Sequence, residues 1–442
     1  MTQIHPAGAV SRPESLPAPV FVEPSDALPI VSVAVTFRSG SAHDPEGRDG
    51  LARVMARMLR RGAQGYTSQQ IEESIDALGA ELATDVSVSS LTVHFEVIRR
   101  SLDPMVALVA TLLARPSFDE RELSRLLRES EAEIIEARDN DRGLASRGFR
   151  RTLFAGHPYG RRVSGQIATL RALGEGDVRA FYARHFSRAN AIVTISGDLG
   201  EDEGVAVAAR LLEGLPEGER ISDPVPPPPA LPGRHLVFVD KPERTQTQMV
   251  VGGLGTDAHD PDHFALFLAN TAFGGTFTSR LMQEVRVKRG WSYGASSRVS
   301  FDRQRDAFTM WTAPAATDAA ACLALELELH HTFREEGVTE EELEFVKRYL
   351  VRSHAFDIDT ARKRVHQKLE AELYGLPPGY HERYLEHVGA VDRAAANAAV
   401  RARLSEDDLV IGVVGTHAEI GEAVAKAIPR LASVTVAPFD QE

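Results

Sequence analysis

The sequence predicts an α+β protein of two homologous domains, each a largely antiparallel sheet covered by helices, related by internal duplication. Three observations carry that expectation. The tetrapeptide "AHDP" at 42–45 recurs 216 positions on, at 258–261, each time after an apolar, strand-like run: "LPIVSVAVTF" (28–37) and "QTQMVVGGLG" (246–255). Near the end of each half a second apolar run closes on glycine, "AIVTISGD" (191–198) and "LVIGVVGT" (409–416), with Gly197 and Gly415 218 positions apart. Between the repeats lies "LPEGERISDPVPPPPALPG" (215–233), a proline cluster that can join neither a helix interior nor a strand ladder. The expected boundaries are therefore an N-terminal domain at 1–214, a linker at 215–233 and a C-terminal domain at 234–442.

The elements follow in the same order in each half. Asp-Pro in AHDP favours a turn out of the first strand and into a helix. In "TSQQIEESIDALGAEL" (67–82), Thr67 and Gln70 have the spacing of a capping box. "VSVSSLTVHFEVI" (86–98) alternates apolar and polar residues as a half-buried strand does. Charged helical patterns fill 101–154. In the second half "WSYGASSRVSFDRQRDAFTMWTA" (291–313) reads as a hairpin, and helical patterns run from 318 to 403. Strands and helices are segregated rather than strictly alternating, which favours antiparallel sheets over a doubly wound parallel one. "FGGTF" (273–277) reads as a glycine pair ending a helix.

Composition narrows the function. The 442 residues are 43% hydrophobic, enough for a sizeable core in each domain. A formal net charge of −13 argues against a nucleic-acid partner, which needs a basic face. The basic cluster "RGFRRTLF" (147–154) reads as a solvated helix face. Cys322, the one cysteine, lies in an apolar helical run and reads as a buried inert thiol. No stretch is long and apolar enough to span a bilayer, and the opening "MTQIHPAGAVSRPESLPAP" is a Pro-rich tail without an apolar signal core. His43, His157 and His259 are scattered and form no close ligand pair.

Two stretches carry the chemical interest. "GLARVMARMLRRG" (50–62) places Arg53, Ala56 and Arg57 on one helical face. Taken alone it is an amphipathic surface helix. "VRVKRGWSY" (285–293) holds Arg286 and Tyr293 seven apart. Taken alone these are a surface helix arginine and an ordinary strand aromatic.

Together these features resemble the pitrilysin, insulysin and mitochondrial processing peptidase family, the inverzincins, over nearly the whole chain. The zinc motif of that family is His-x-x-Glu-His on a helix, in a frame similar to Gly-Leu-Ala-His-x-x-Glu-His-Met-Leu. Here the frame survives as Gly50, Leu51, Ala52, Met58 and Leu59, and the functional positions read Arg53, Ala56 and Arg57. The resemblance places the third zinc ligand, a glutamate, at Glu133 in "AEIIEARDNDRG" (132–143). A carboxylate facing two arginines is expected to form an ion pair, with either Arg53 or Arg57, rather than bind zinc. The stretches "AGHPYGRRVSG" (155–165) and "FGGTFTSRLMQEVRVKRGWSYGASS" (273–297) extend the likeness. In this family an arginine and a tyrosine at the spacing of Arg286 and Tyr293 bind the peptide and stabilise the oxyanion.

Some bacterial members are split: one chain supplies His-x-x-Glu-His and its partner supplies the Arg/Tyr pair. This chain resembles the partner. The resemblance implies a non-zinc-binding subunit of a heterodimeric zinc metallopeptidase, with no cofactor of its own, zinc in a homologous His-x-x-Glu-His subunit, and peptides as substrates. Alone it is expected to be inactive. The competing expectation is a catalytically inert structural or peptide-binding protein, resembling the core subunits of the respiratory cytochrome complex. The compartment stays open; paired bacterial members are often periplasmic.

Overall fold

A computed structural model describes residues 16–222 and 225–441. Most of the Pro-rich opening, and Asp223 and Pro224 of the linker, lie outside the described residues.

The first half contributes strands β1 (Val20–Pro24), β2 (Ile30–Phe37), β3 (Gly62–Ala63), β4 (Tyr66–Thr67), β5 (Glu81–Val86), β6 (Leu91–Ile98) and β7 (Ala191–Gly197). The second half contributes β8 (Arg234–Asp240), β9 (Gln248–Leu254), β10 (Ser292–Phe301), β11 (Arg305–Pro314), β12 (Leu409–Gly415) and β13 (Leu431–Pro438). The first sheet has the order β1-β7-β2-β6-β5, with β3 and β4 a separate small ladder. The second has the order β10-β11-β9-β12-β8-β13. Taken from its other side, β8-β12-β9-β11-β10 repeats the first sheet strand for strand, and β13 is an added edge. Within these two sheets the pairs β1–β7, β8–β12 and β8–β13 are parallel and all others antiparallel. The duplicated α+β organisation expected from the two offsets is what the chain adopts.

Local signals explain much of this. On β2, Val31, Val33 and Val35 are buried and pair with Val97, Phe95 and Val93 of β6, so one face of each strand is core, as the period-2 pattern requires. The Thr67–Gln70 capping box forms, Gln70 N–H donating to Thr67 Oγ1 at 3.3 Å and Thr67 N–H to Gln70 Oε1 at 2.9 Å. AHDP also caps: the buried Asp44 carboxyl accepts from Gly50 N–H and Ala52 N–H, both at 2.8 Å, and so starts the helix Leu51–Met58. Burial pushes the Asp44 carboxyl up to about 7 against those bonds.

The compact units do not follow one cut at the linker. One comprises residues 1–134, 161–224 and 355–376; the other 135–160, 225–354 and 377–442. Each half thus gives a helix to the other half's sheet. The helix Asp141–Leu153 packs on β8, β9 and β12. The contact is close on both sides: a Cβ on Gly412 would lie 2.8 Å from the Ala145 carbonyl oxygen, which a side chain does not tolerate, and one on Gly148 would press on Val237 Cγ1 at 3.2 Å. In return the helix Ala361–Tyr374 lays Val365, Leu369 and Leu373 against Phe21 and Ile192. It is held at its rim by Glu23, which accepts from Arg364 Nε at 2.7 Å and Lys368 Nζ at 3.0 Å.

This exchange corrects the expectation for 147–154. The stretch is not simply a solvated face, because Phe149, Leu153 and Phe154 are buried and Arg150 Nη1 donates to Asp306 Oδ1 at 2.9 Å. A basic, amphipathic pattern says that one face is buried but not against which sheet. Among the described residues no helix is long and apolar enough to cross a membrane.

Candidate functional site

Each unit carries one of the two constellations, and each is built locally. In the first unit, Leu51, Val54, Met55 and Met58 anchor the short helix Leu51–Met58 in the core, and Ala56 is fully buried. Arg53 and Arg57 therefore point from the opposite, half-exposed face toward the helix Glu120–Glu136. Glu133 meets both. Its Oε1 accepts from Arg57 Nη2 at 2.7 Å, and its Oε2 accepts from Arg57 Nη1 at 3.1 Å and from Arg53 Nη2 at 2.9 Å. Arg57 Nη1 also donates to Ser130 Oγ at 3.1 Å. Partial burial would raise the Glu133 pKa, but the hydrogen bonds and charges of Arg57 and Arg53 outweigh it and hold the carboxyl below its usual range.

These side chains do not fit a zinc ion. The guanidinium groups carry donors only and stay charged, and both Glu133 oxygens are engaged in a forked pair. The choice between Arg53 and Arg57 left open by the spacing is answered by both at once. Ser130 carries no chemical signature in the sequence, and only helix geometry brings it in, one turn before Glu133.

In the second unit three short segments converge. The helix His263–Asn270 continues into a wider π-helical turn, Thr271–Gly275. That turn lies directly on β10: a Cβ on Gly274 would sit 2.4 Å from Ser297 N, and Ser297 Oγ donates to Asn270 Oδ1 at 2.6 Å. The chain then emerges with Phe277 63% exposed. A second π-helical turn, Met282–Val287, is anchored by the buried Val285 and carries Arg286. Such turns gather at functional sites because the extra residue re-aims side chains.

Tyr293 stands on a β-bulge. The register steps from Ser292↔Pro314 to Ala295↔Thr312, so Tyr293 and Gly294 together oppose Ala313. Ser292 Oγ repairs the ladder by accepting from Ala313 N–H at 2.9 Å and donating to the Gly294 carbonyl at 2.6 Å. The bulge turns Tyr293 outward, 86% exposed. Arg286 Cζ lies 4.4 Å from the Tyr293 ring centre and 4.9 Å from that of Phe277. Among the described residues the Arg286 guanidinium and the Tyr293 hydroxyl have no hydrogen-bond or ion-pair partner. The glycine pair of "FGGTF" drew attention to helix termination, whereas the aromatic that follows it is the residue in contact with Arg286.

Other groups are structural. Cys322 is fully buried and its thiol is pushed far up by burial. His157 ties to the Pro226 carbonyl at 2.8 Å.

Comparison with known proteins bears on the family and the fold. Residues 20–166 match the family described as Insulinase (Peptidase family M16), and residues 173–350 match the Peptidase M16 inactive domain. The chain is 22% identical over 398 residues to the non-peptidase homolog YmxG of Helicobacter pylori, covering 90% of this chain and 91% of that protein. It is 26% identical over 315 residues to an uncharacterized zinc protease of Rickettsia bellii, covering 71% of this chain and 75% of that one. The crystal structure of a peptidase M16 inactive domain from Pseudomonas fluorescens superposes with a TM-score of 0.84 at 25% identity, covering 95% of this chain and 96% of that one. Two successive stretches of the chain match two parts of one family, and its fold is shared along its length with a solved member. The chain belongs to the insulinase, or M16, peptidase family.

Proposed function

We propose that this chain is the non-zinc subunit of a heterodimeric M16 metallopeptidase, supplying Arg286 and Tyr293 to peptide hydrolysis. The observation that carries the reading is the contrast in partners: the guanidiniums at the degenerate zinc motif are paired with Glu133, whereas Arg286 and Tyr293 have no hydrogen-bond or ion-pair partner among the described residues. Attack on a peptide carbonyl moves negative charge onto its oxygen. A hydroxyl aimed at that oxygen stabilises it, and an exposed guanidinium can hold neighbouring carbonyls of an extended peptide. A homologous subunit with an intact His-x-x-Glu-His would contribute the zinc and the activation of water.

The test is reconstitution. The purified chain is mixed with a homologous His-x-x-Glu-His protein from the same genome, and hydrolysis of an internally quenched peptide is followed. Activity from the mixture that neither protein gives alone is expected. A His-x-x-Glu-His protein equally active with and without this chain overturns the reading.

A second reading is favoured by the words "non-peptidase" and "inactive domain" attached to two of the similar proteins. It makes the chain a peptide-binding or structural protein, and predicts stable assembly with no gain in hydrolysis.

A further inference from the structure

We infer that Phe277 is a positioning residue that holds Arg286 open for a peptide; the inference rests on the peptide-binding role proposed above for Arg286. The argument begins with an anomaly. Phe273, four residues earlier, is fully buried and stacks on Phe333 with ring centres 4.2 Å apart, yet Phe277 leaves most of its ring in water. An exposed phenylalanine contributes little to folding, and its segment is nonetheless pinned to β10 through Gly274, Asn270 and Ser297. What this placement achieves is a ring against Arg286, which thereby has an aromatic contact on Phe277 and another on Tyr293.

A guanidinium carries five N–H donors, and an aromatic ring at cation–π distance brings no oxygen acceptor to occupy them. A carboxylate partner would use them up, as Glu133 does with Arg57. The acid on Arg286's own turn is kept occupied: Glu284 accepts from Lys288 Nζ at 2.5 Å and from Arg289 Nη1 at 2.8 Å. The hydrogen bonds from Lys288 and Arg289 hold its carboxyl below the ordinary range. Arg286 is thus held by aromatic contacts and screened from the obvious competing acid. Without the Phe277 ring the long side chain would sample more rotamers, and a bound peptide would have to order it again.

The consequence falls on binding rather than turnover. Phe277→Ala and Phe277→Leu, in the full chain assembled with the zinc-bearing subunit, are expected to raise KM about two- to fivefold, the size of an exposed cation–π contact, with kcat unchanged. Phe277→Trp is expected to keep the native KM, because rescue follows aromaticity and not apolar volume. A second measurement is independent of hydrolysis. In the free chain the Arg286 Hε proton resonance, assigned by its loss in Arg286→Lys, should be displaced by ring current, and the displacement should shrink in Phe277→Leu but not in Phe277→Trp. Phe277→Leu matching the native chain in both readouts overturns the inference, as does an Arg286 resonance indifferent to all three substitutions. Should the unsubstituted pair fail to hydrolyse peptide while the resonance follows aromaticity, the subunit reading falls and the positioning of Arg286 by Phe277 stands.

Discussion

Arg53 and Arg57 in the first unit share one carboxylate, and Arg286 in the second unit has none among the described residues. All three are guanidiniums on short helical turns whose opposite faces are anchored in a core. The difference lies in what holds each side chain. Glu133 meets the Nη1 and Nη2 groups of Arg57 with a fork and takes Arg53 through one further donor, so the carboxylate is saturated, both guanidiniums are paired with it, and the contact joins two helices. Phe277 and Tyr293 touch Arg286 without spending a donor. A charged residue held by aromatic contact stays chemically available, whereas one held by a counter-charge does not. On the proposed function, what distinguishes the two sites is whether the arginine's donors are already paired and not the presence of an arginine.

The strongest way to break the comparison is to convert the saturated site. Arg53→His with Arg57→His removes both guanidiniums and leaves Glu133 facing two imidazoles at i and i+4, a ligand set that suits zinc. Metal analysis after dialysis should find stoichiometric zinc in the double variant, lost again on adding Glu133→Ala. If the variant holds no zinc, the two helices do not place positions 53, 57 and 133 at ligand geometry, and more than the side chains separates this site from a metal site.

The next largest effect belongs to the open site. Tyr293→Phe deletes one exposed hydroxyl that has no hydrogen-bond partner among the described residues, so folding and assembly should be untouched. If that hydroxyl meets the oxyanion, kcat of the reconstituted pair should fall roughly a hundredfold or more, as on removal of one oxyanion donor. Arg286→Ala should raise KM as well. Arg53→Ala, which disturbs only the saturated site, should leave turnover alone. Undiminished hydrolysis by an assembled Tyr293→Phe, Arg286→Ala variant would reduce the chain to a scaffold and erase the functional half of the contrast.

Local and repeated features were legible in the sequence. The AHDP offset announced the duplicated sheet, the Thr67–Gln70 spacing announced its capping box, and alternation marked β6 and the β10–β11 hairpin. Each of these is decided within a few residues or by simple recurrence. The exchange of the helices Asp141–Leu153 and Ala361–Tyr374 was not legible, because an amphipathic pattern names a buried face and not the sheet that covers it. At the candidate sites the family resemblance, and not residue identity alone, pointed to Arg53, Arg57, Glu133, Arg286 and Tyr293. It did not give Ser130, nor the simultaneous pairing of both arginines, which depends on how two helices cross. Phe277 was hidden because a phenylalanine beside a glycine pair has the composition of a helix end, and its exposure comes from a π-helical turn that no local pattern announces.

The smallest effect sharpens what saturation means. Glu133→Gln keeps the shape and one acceptor but removes the charge that Arg53 and Arg57 share. The carboxylate is more than a third exposed, so solvent screens the pair and the loss should be about 0.5–1 kcal/mol at neutral pH, not that of a buried ion pair. The sign with pH follows from linkage. The folded chain holds Glu133 below the ordinary 4.5, so its charged form favours the fold. That contribution is present in full above 4.5 and is lost as pH falls through the depressed value. Three buried histidines destabilise the chain in acid as well: burial holds His185 down to about 3, and His263 and His330 down to about 4. Unfolding lets them take up protons from about pH 6.5 downward, which lowers stability in that range. They are the same in both proteins and cancel in the difference. Urea unfolding of the native chain and of Glu133→Gln should therefore show a constant gap from pH 8 to pH 6 that closes only below about 4.5. A gap that persists in acid would mean that Glu133 stabilises through packing rather than charge. The two arginines would then be less firmly occupied than their hydrogen bonds suggest, and the Arg53/Arg57 face would stand closer to the open Arg286 site.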